Sequence, residues 1–168
     1  VWYYGNLGRT AWTDIGVTTN YPIGATYSYN LVQHEVGNDD NTGASTLPIE
    51  AYITSSEFDI DDGDRFGFVW RILPDVTFRG STAGAPSAVM TLLPLQNSGS
   101  GYNSPASLGG TDNGTVTRTA TVPIEQFTGQ VNIRVRGRQM SIKMESDGAG
   151  VQWQLGSPRI DIRPDGRK

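Results

Sequence analysis

An all-β chain is predicted, an antiparallel, jelly-roll-like β-sandwich preceded by a partial β-propeller blade. Three observations predict it. Apolar residues alternate with polar ones over several segments, and no run keeps a helical i, i+3, i+4, i+7 pattern beyond two turns. Glycine is abundant at 21 of 168 residues, and polar turn clusters separate the alternating segments. Val122 to Phe127 has room for one short helical turn at most.

The first element opens at Val1-Trp2-Tyr3-Tyr4, a β-branched and aromatic run that reads as the middle of a strand. Gly5-Asn6-Leu7-Gly8 supplies a turn, and Thr10-Ala11-Trp12-Thr13 resumes extended chain. An aromatic strand, a short turn and a Trp is the pattern of a propeller blade, so Trp2 and Trp12 are expected in one small core. Residues 14–30 read as loop, Leu31 to Val36 as a strand, and Gly37 to Gly43 as a polar turn. The texture changes at Pro48, which divides the chain into a blade-like segment, 1–47, and a sandwich, 48–168.

Within the sandwich, Ile49 to Phe58 and Arg65 to Phe78 are extended, with Phe66, Phe68 and Trp70 on one face and Val69 on the other. Strands follow at Ser87 to Leu95, Thr115 to Val122, Val131 to Glu145 and Val151 to Ile162. Gln96 to Asn113 is a Ser/Gly/Asn-rich loop. Phe66, Phe68, Trp70, Met140, Ile142, Trp153 and Leu155 are the expected core. In the strand from Val131 the apolar residues sit at Val131, Ile133 and Val135, then at Met140, Ile142 and Met144. Their parity flips across Gly137, which an uninterrupted strand forbids. A β-bulge or a two-residue hairpin at Arg136-Gly137 accounts for it. The bulge is preferred, because a tight turn would crowd the arginines. The same flip recurs across Gly156-Ser157-Pro158.

Charge is unevenly distributed. Residues 1–130 hold five Lys/Arg against thirteen Asp/Glu, and residues 131–168 hold eight against four. An acidic body with a basic end suggests contact between subunits or with a polyanion. Cysteine is absent, which excludes disulfides and thiolate metal sites. No stretch of about 18 apolar residues is present.

Catalytic apparatus is not evident. His34 is the one histidine, and neither a nucleophile elbow nor a phosphate-cradling glycine loop accompanies it. No cofactor is expected. Asp59, Asp61 and Asp64 surround Gly63 at spacings that suit calcium, yet the distal bidentate Glu is missing, and the stretch equally suits a hairpin turn. Loop aromatics Tyr21, Tyr27, Tyr29 and Tyr102 suit stacking on sugar rings, which keeps a carbohydrate-binding module as a second reading.

The C-terminal stretch carries Arg136-Gly137-Arg138-Gln139, Trp153-Gln154-Leu155-Gly156, Arg159-Ile160-Asp161 and Arg163-Pro164-Asp165-Gly166-Arg167. Upstream lie HEVGNDD (His34 to Asp40), AYITSSEFDIDDGD (Ala51 to Asp64) and RILPD (Arg71 to Asp75). Together these resemble the C-terminal parts of virion structural proteins of short-tailed bacteriophages, the stabilisation or tail-tubular proteins with a β-propeller. The resemblance implies a non-enzymatic tail nozzle subunit, a fragment of a longer polypeptide, assembled as a homo-oligomeric, hexameric ring. It implies neighbouring tail or capsid proteins as partners and DNA passing through without sequence-specific binding. It also implies a place in the virion after assembly in the bacterial host cytoplasm. A capsid decoration protein with the same sandwich is an alternative. Arg136, Arg138, Trp153, Arg159, Arg163 and Asp165 are the expected assembly residues. Arg136 and Arg138 are expected to pair with carboxylates within the sandwich or across a subunit contact.

Overall fold

The computed structural model describes residues 8–15, 19–60, 63–95 and 119–166. Val1 to Leu7, the whole of the predicted Gln96 to Asn113 loop, the start of the predicted Thr115 to Val122 strand and Arg167 lie outside them, as do Asp61, Trp2 and Tyr102. Among the described residues every regular element is a strand, and every pairing is antiparallel.

Two sheets face each other. One has the order β11-β10-β13-β6, built from β6 (Ala51–Thr54), β10 (Ser87–Leu95), β11 (Ala120–Glu125) and β13 (Gln139–Ser146). A short β7 (Phe58–Asp59) continues the β6 edge along β13. The other sheet has the order β12-β8-β15, from β8 (Gly67–Leu73), β12 (Val131–Gly137) and β15 (Arg159–Pro164). Met90, Leu92, Ile124, Met140 and Met144 from the first sheet meet Val69, Ile72, Ile133 and Val135 from the second, all buried. Alternation places them there: each strand gives every second side chain to the space between the sheets. A short pair, β9 (Val76–Thr77) with β14 (Gln154–Leu155), lies beside the sandwich.

The N-terminal part is a separate three-stranded sheet, β1 (Arg9–Ile15), β2 (Pro22–Thr26) and β3 (Leu31–Gln33), followed by the short pair β4 (Asp39–Asp40) and β5 (Leu47–Pro48). Residues 22–26, expected as loop, form the central strand instead. PIGAT carries a proline and a glycine, which mask its extended character. Trp12 is half exposed and packs on His34, with centroids 4.6 Å apart, rather than lying in a core.

Three further expectations change. First, the parity of β8 is reversed. Val69 is fully buried while Phe66, Phe68 and Trp70 are half-buried on the outer side. Trp153, Leu155 and Ile142 are also only half-buried, packed at the margin of the core, whereas Met140 is fully buried. Second, Gly137 marks neither a hairpin nor a bulge within one sheet. β12 pairs with β8, whereas β13 pairs with β10, β6 and β7, so the chain leaves one sheet at Gly137 and enters the other at Gln139. The amide of Arg138 donates to the carbonyl of Leu95 at 2.9 Å and holds this corner. Switching sheets is what flips the apolar parity. Third, the strands on either side of the Asp59–Asp64 stretch, β7 and β8, form no hairpin with each other: β7 pairs with β13 in one sheet, and β8 pairs with β12 and β15 in the other.

Candidate functional site

The outer side of the β12-β8-β15 sheet is where the sequence's arginines collect. β8 sends Val69 and Ile72 inward, so Phe68 and Trp70 point out. The register slips between Asn132 and Val135 on β12 and between Asp161 and Ile162 on β15, at the level of Trp70 in both cases. These irregularities let two inward residues, Val69 and Ile72, stand three apart. In register, Arg136 of β12 and Arg163 of β15 flank Phe68 from either side.

The guanidiniums lie over the aromatic rings. Arg136 is 4.0 Å and Arg138 4.8 Å from the centroid of Phe66. Arg71 and Arg163 are 4.7 and 5.0 Å from that of Trp70. Carboxylates complete the array: Arg71 pairs with Asp161, and Arg136 with Asp165. Arg136 Nη2 also donates to the Asp165 carbonyl at 3.2 Å. Each exposed stack is worth about 0.5–1 kcal/mol, and the planar guanidinium suits both stacking and the carboxylate fork better than an ammonium does. Repulsion between neighbouring arginines is offset in this way, by rings and by interleaved carboxylates.

Two of the segments singled out in the sequence meet at one end of this sheet. Gly67 is in register with Gly137 on one side and Pro164 on the other. The amide of Phe66 donates to Gly166 and that of Asp165 to Phe66, each at 2.8 Å. Residues 136–139 and 163–166 are thereby brought together. Arg159 is exposed at the other end of β15, opposite Leu73. Trp153 stands apart from the array; its Nε1 donates to Ser146 Oγ at 2.9 Å beside the core. Asp75, with φ at +50°, takes the Ser157 amide on its carboxylate at 2.6 Å and the Gly156 amide on its carbonyl at 2.8 Å. The arginines are legible in the sequence as a cluster, whereas Phe66 and Trp70 read there as core. The missed signal is that arginines crowded on neighbouring strands require a flat face to rest on.

Replacing Arg136 by Ala is expected to lower unfolding free energy by about 1 kcal/mol in urea titration. The stack on Phe66 and the ion pair to Asp165 are both lost, but the pair is roughly 40% exposed and contributes little after screening. Arg136→Lys should recover only part of the loss. A loss above about 3 kcal/mol would show that the pair acts as a buried one.

The remaining candidates behave differently. Asp59 accepts a hydrogen bond from Gln139 Nε2, Asp64 lies 3.9 Å from Arg65, and the described residues contain no group of three potential metal ligands. His34 Nε2 accepts from Arg9 Nε at 2.9 Å. Asn38 donates to the Gly80 carbonyl at 2.9 Å, and Asp39 accepts from the Gly150 amide at 2.6 Å, which ties this segment to the sandwich.

Asp40 accepts from the hydroxyl and the amide of Thr42, at 2.6 and 2.9 Å. These bonds, the hydroxyl's first and the amide's second, hold its carboxyl below the ordinary range, with the charge of Arg9 adding a smaller effect against desolvation. A depressed carboxylate stabilises the fold above its unfolded value and loses that contribution as pH falls through its folded one. NMR titration of Asp40 is therefore expected to give a midpoint below about 3.9, and Thr42→Val should raise it. An unchanged midpoint in the variant would remove the hydroxyl as the main cause.

No protein-family model matches the chain, and no curated protein matches it.

Proposed function

We propose that the chain is a non-enzymatic structural part of a bacteriophage virion, a tail nozzle subunit that assembles into a ring and conducts and retains DNA. It would be assembled in the host cytoplasm beside other tail or capsid proteins. The observation that carries the reading is the meeting of Arg136–Gln139 with Arg163–Gly166 at one end of the β12-β8-β15 sheet. Two of the segments on which the phage resemblance rests, carried by different strands, build one surface here. That surface is stiff, because guanidiniums stacked on rings lose few further rotamers when a neighbour docks. The acidic majority of the chain suits a channel for DNA, since a basic wall would hold the polyanion through counterion release.

A sugar-binding module is the second reading, favoured by Tyr27 and Tyr29. They project beside the β2–β3 turn, 72% and 98% exposed. Light scattering and electron microscopy of the purified chain separate the two. A closed ring of identical subunits is the expected result. A monomer that binds oligosaccharide, and loses it in Tyr27→Ala/Tyr29→Ala, would replace the nozzle reading with the module.

A further inference from the structure

We infer that the arginine-bearing face of one copy docks in an acidic, apolar cleft on the N-terminal part of the next copy. The inference deepens the ring reading and rests on it for the identity of the partner. The cleft has a volume of about 770 Å³, and its walls include Leu31, Val36, Ile49, Glu35, Asp39 and Asp40. Leu31, Val36 and Ile49 are 76%, 44% and 52% exposed, so apolar surface stands open beside carboxylates. The three-stranded sheet next to it adds nothing to the core cluster of the sandwich, and a sheet this small is marginal without a packed face.

Charge selects the occupant. The cleft walls carry three carboxylates, Glu35, Asp39 and Asp40, against one cation, Arg9. The β12-β8-β15 face offers the opposite: Arg134 and Arg163 exposed on its outer strands, with half-buried Phe66, Phe68 and Trp70 between the guanidiniums. Carboxylates with aliphatic side chains on one surface, and arginines with aromatic rings on the other, match in sign and in apolar character. The two surfaces are different patches of one chain. Contact between them is therefore heterologous and propagates head to tail, into a ring where the rotation closes and a filament where it does not. Asp161 and Asp165, interleaved among the arginines, disfavour a polyanion on the same face.

A charge-swap experiment tests this on the full chain. Arg134→Glu/Arg163→Glu reverses one surface, and Glu35→Lys/Asp40→Lys reverses the other; all four residues are exposed, and Glu35 and Asp40 line the cleft. Circular dichroism checks that each variant is folded, and Arg134→Gln/Arg163→Gln replaces the first pair if it is not. Each variant alone is expected to self-associate at least tenfold more weakly than wild type by light scattering at low salt. An equimolar mixture of the two is expected to recover the wild-type mass, because every contact then joins opposite signs. Variants that assemble like wild type would overturn the docking while leaving a ring intact. Recovered assembly into open filaments would uphold the docking and defeat the ring. A wild type that stays monomeric would remove both. Loss of binding to a fluorescent oligonucleotide in the arginine variant, with self-association unchanged, would make the face a polyanion site instead.

Discussion

Leu92→Ala is expected to cost about 2–5 kcal/mol of unfolding free energy, measured by urea titration with far-UV circular dichroism. Leu92 is fully buried on β10, which runs between β11 and β13, and it is in register with Ala120 on one side and Ile142 on the other. Its side chain points between the two sheets, among Met90, Met140 and Met144. Truncation removes the transfer free energy of the lost carbons and leaves a cavity whose walls sit in hydrogen-bonded strands and relax little. Methionines nearby are flexible enough to fill part of the space, which sets the lower end of the range. Domains of this kind are stable by only about 5–15 kcal/mol, so the substitution removes a large share. Leu31→Ala, by contrast, truncates a residue that is 76% exposed, and should change stability by at most about 0.5 kcal/mol in the isolated chain. A loss below about 1 kcal/mol at Leu92 would mean that β10 is not central to the core. Because Leu31 also lines the proposed docking cleft, its truncation is expected to show in assembly rather than in folding.

The elements legible in the sequence are those with a long run of apolar residues at extended-chain spacing. Ser87 to Leu95 reads as a strand and is one, because buried apolar residues fill it and polar turns bound it. β12 and β13 are legible too, down to the flip at Gly137, although not the switch of sheets behind it. Period-2 alternation reports which way side chains point, and says nothing of which strand lies alongside. β8 misleads for a related reason. Register slips at Trp70 bring Ile72, which shares the parity of the aromatics, inside with Val69, so parity alone does not tell which face of this strand is buried. Hydrophobicity alone assigns Phe66 and Trp70 to the core. It does not count the guanidiniums that cover them. The arginine cluster is therefore visible as charge, while its aromatic platform and its partners Asp161 and Asp165 depend on a pairing of strands far apart in the chain.

Gly150→Ala is expected to cost about 2–4 kcal/mol, which combines about 1–2 kcal/mol of left-handed strain with about 1–3 kcal/mol of overpacking, partly relaxed. Gly150 has φ at +69°, a conformation that other L-residues adopt only at a cost. An added Cβ would stand 2.6 Å from Thr82 Oγ1 and 2.9 Å from the backbone nitrogen of Ala83. The threonine can rotate, but the backbone cannot move without breaking what Gly150 itself holds. Its carbonyl accepts from the amides of Thr82 and Ala83, at 2.8 and 3.1 Å, and its amide donates to Asp39. Two amides of one distant loop and a carboxylate oxygen of another are satisfied at this residue, and a buried group left unpaired costs about 1–3 kcal/mol. Strain here should therefore spread along the chain to the segment of Asn38 and Asp39, whose amides should lose protection from hydrogen exchange in the variant. Gly129 is the control. A Cβ added there would meet nothing within 4 Å, and its φ is not positive, so Gly129→Ala should be neutral or stabilise by up to about 1 kcal/mol through the unfolded chain. Equal effects at the two glycines would show that glycine content alone, and not the junction at Gly150, sets the response. A destabilised Gly150→Ala with normal exchange at residues 38–40 would confine the damage to the 82–83 loop and remove the Asp39 contact as the tie between the N-terminal part and the sandwich.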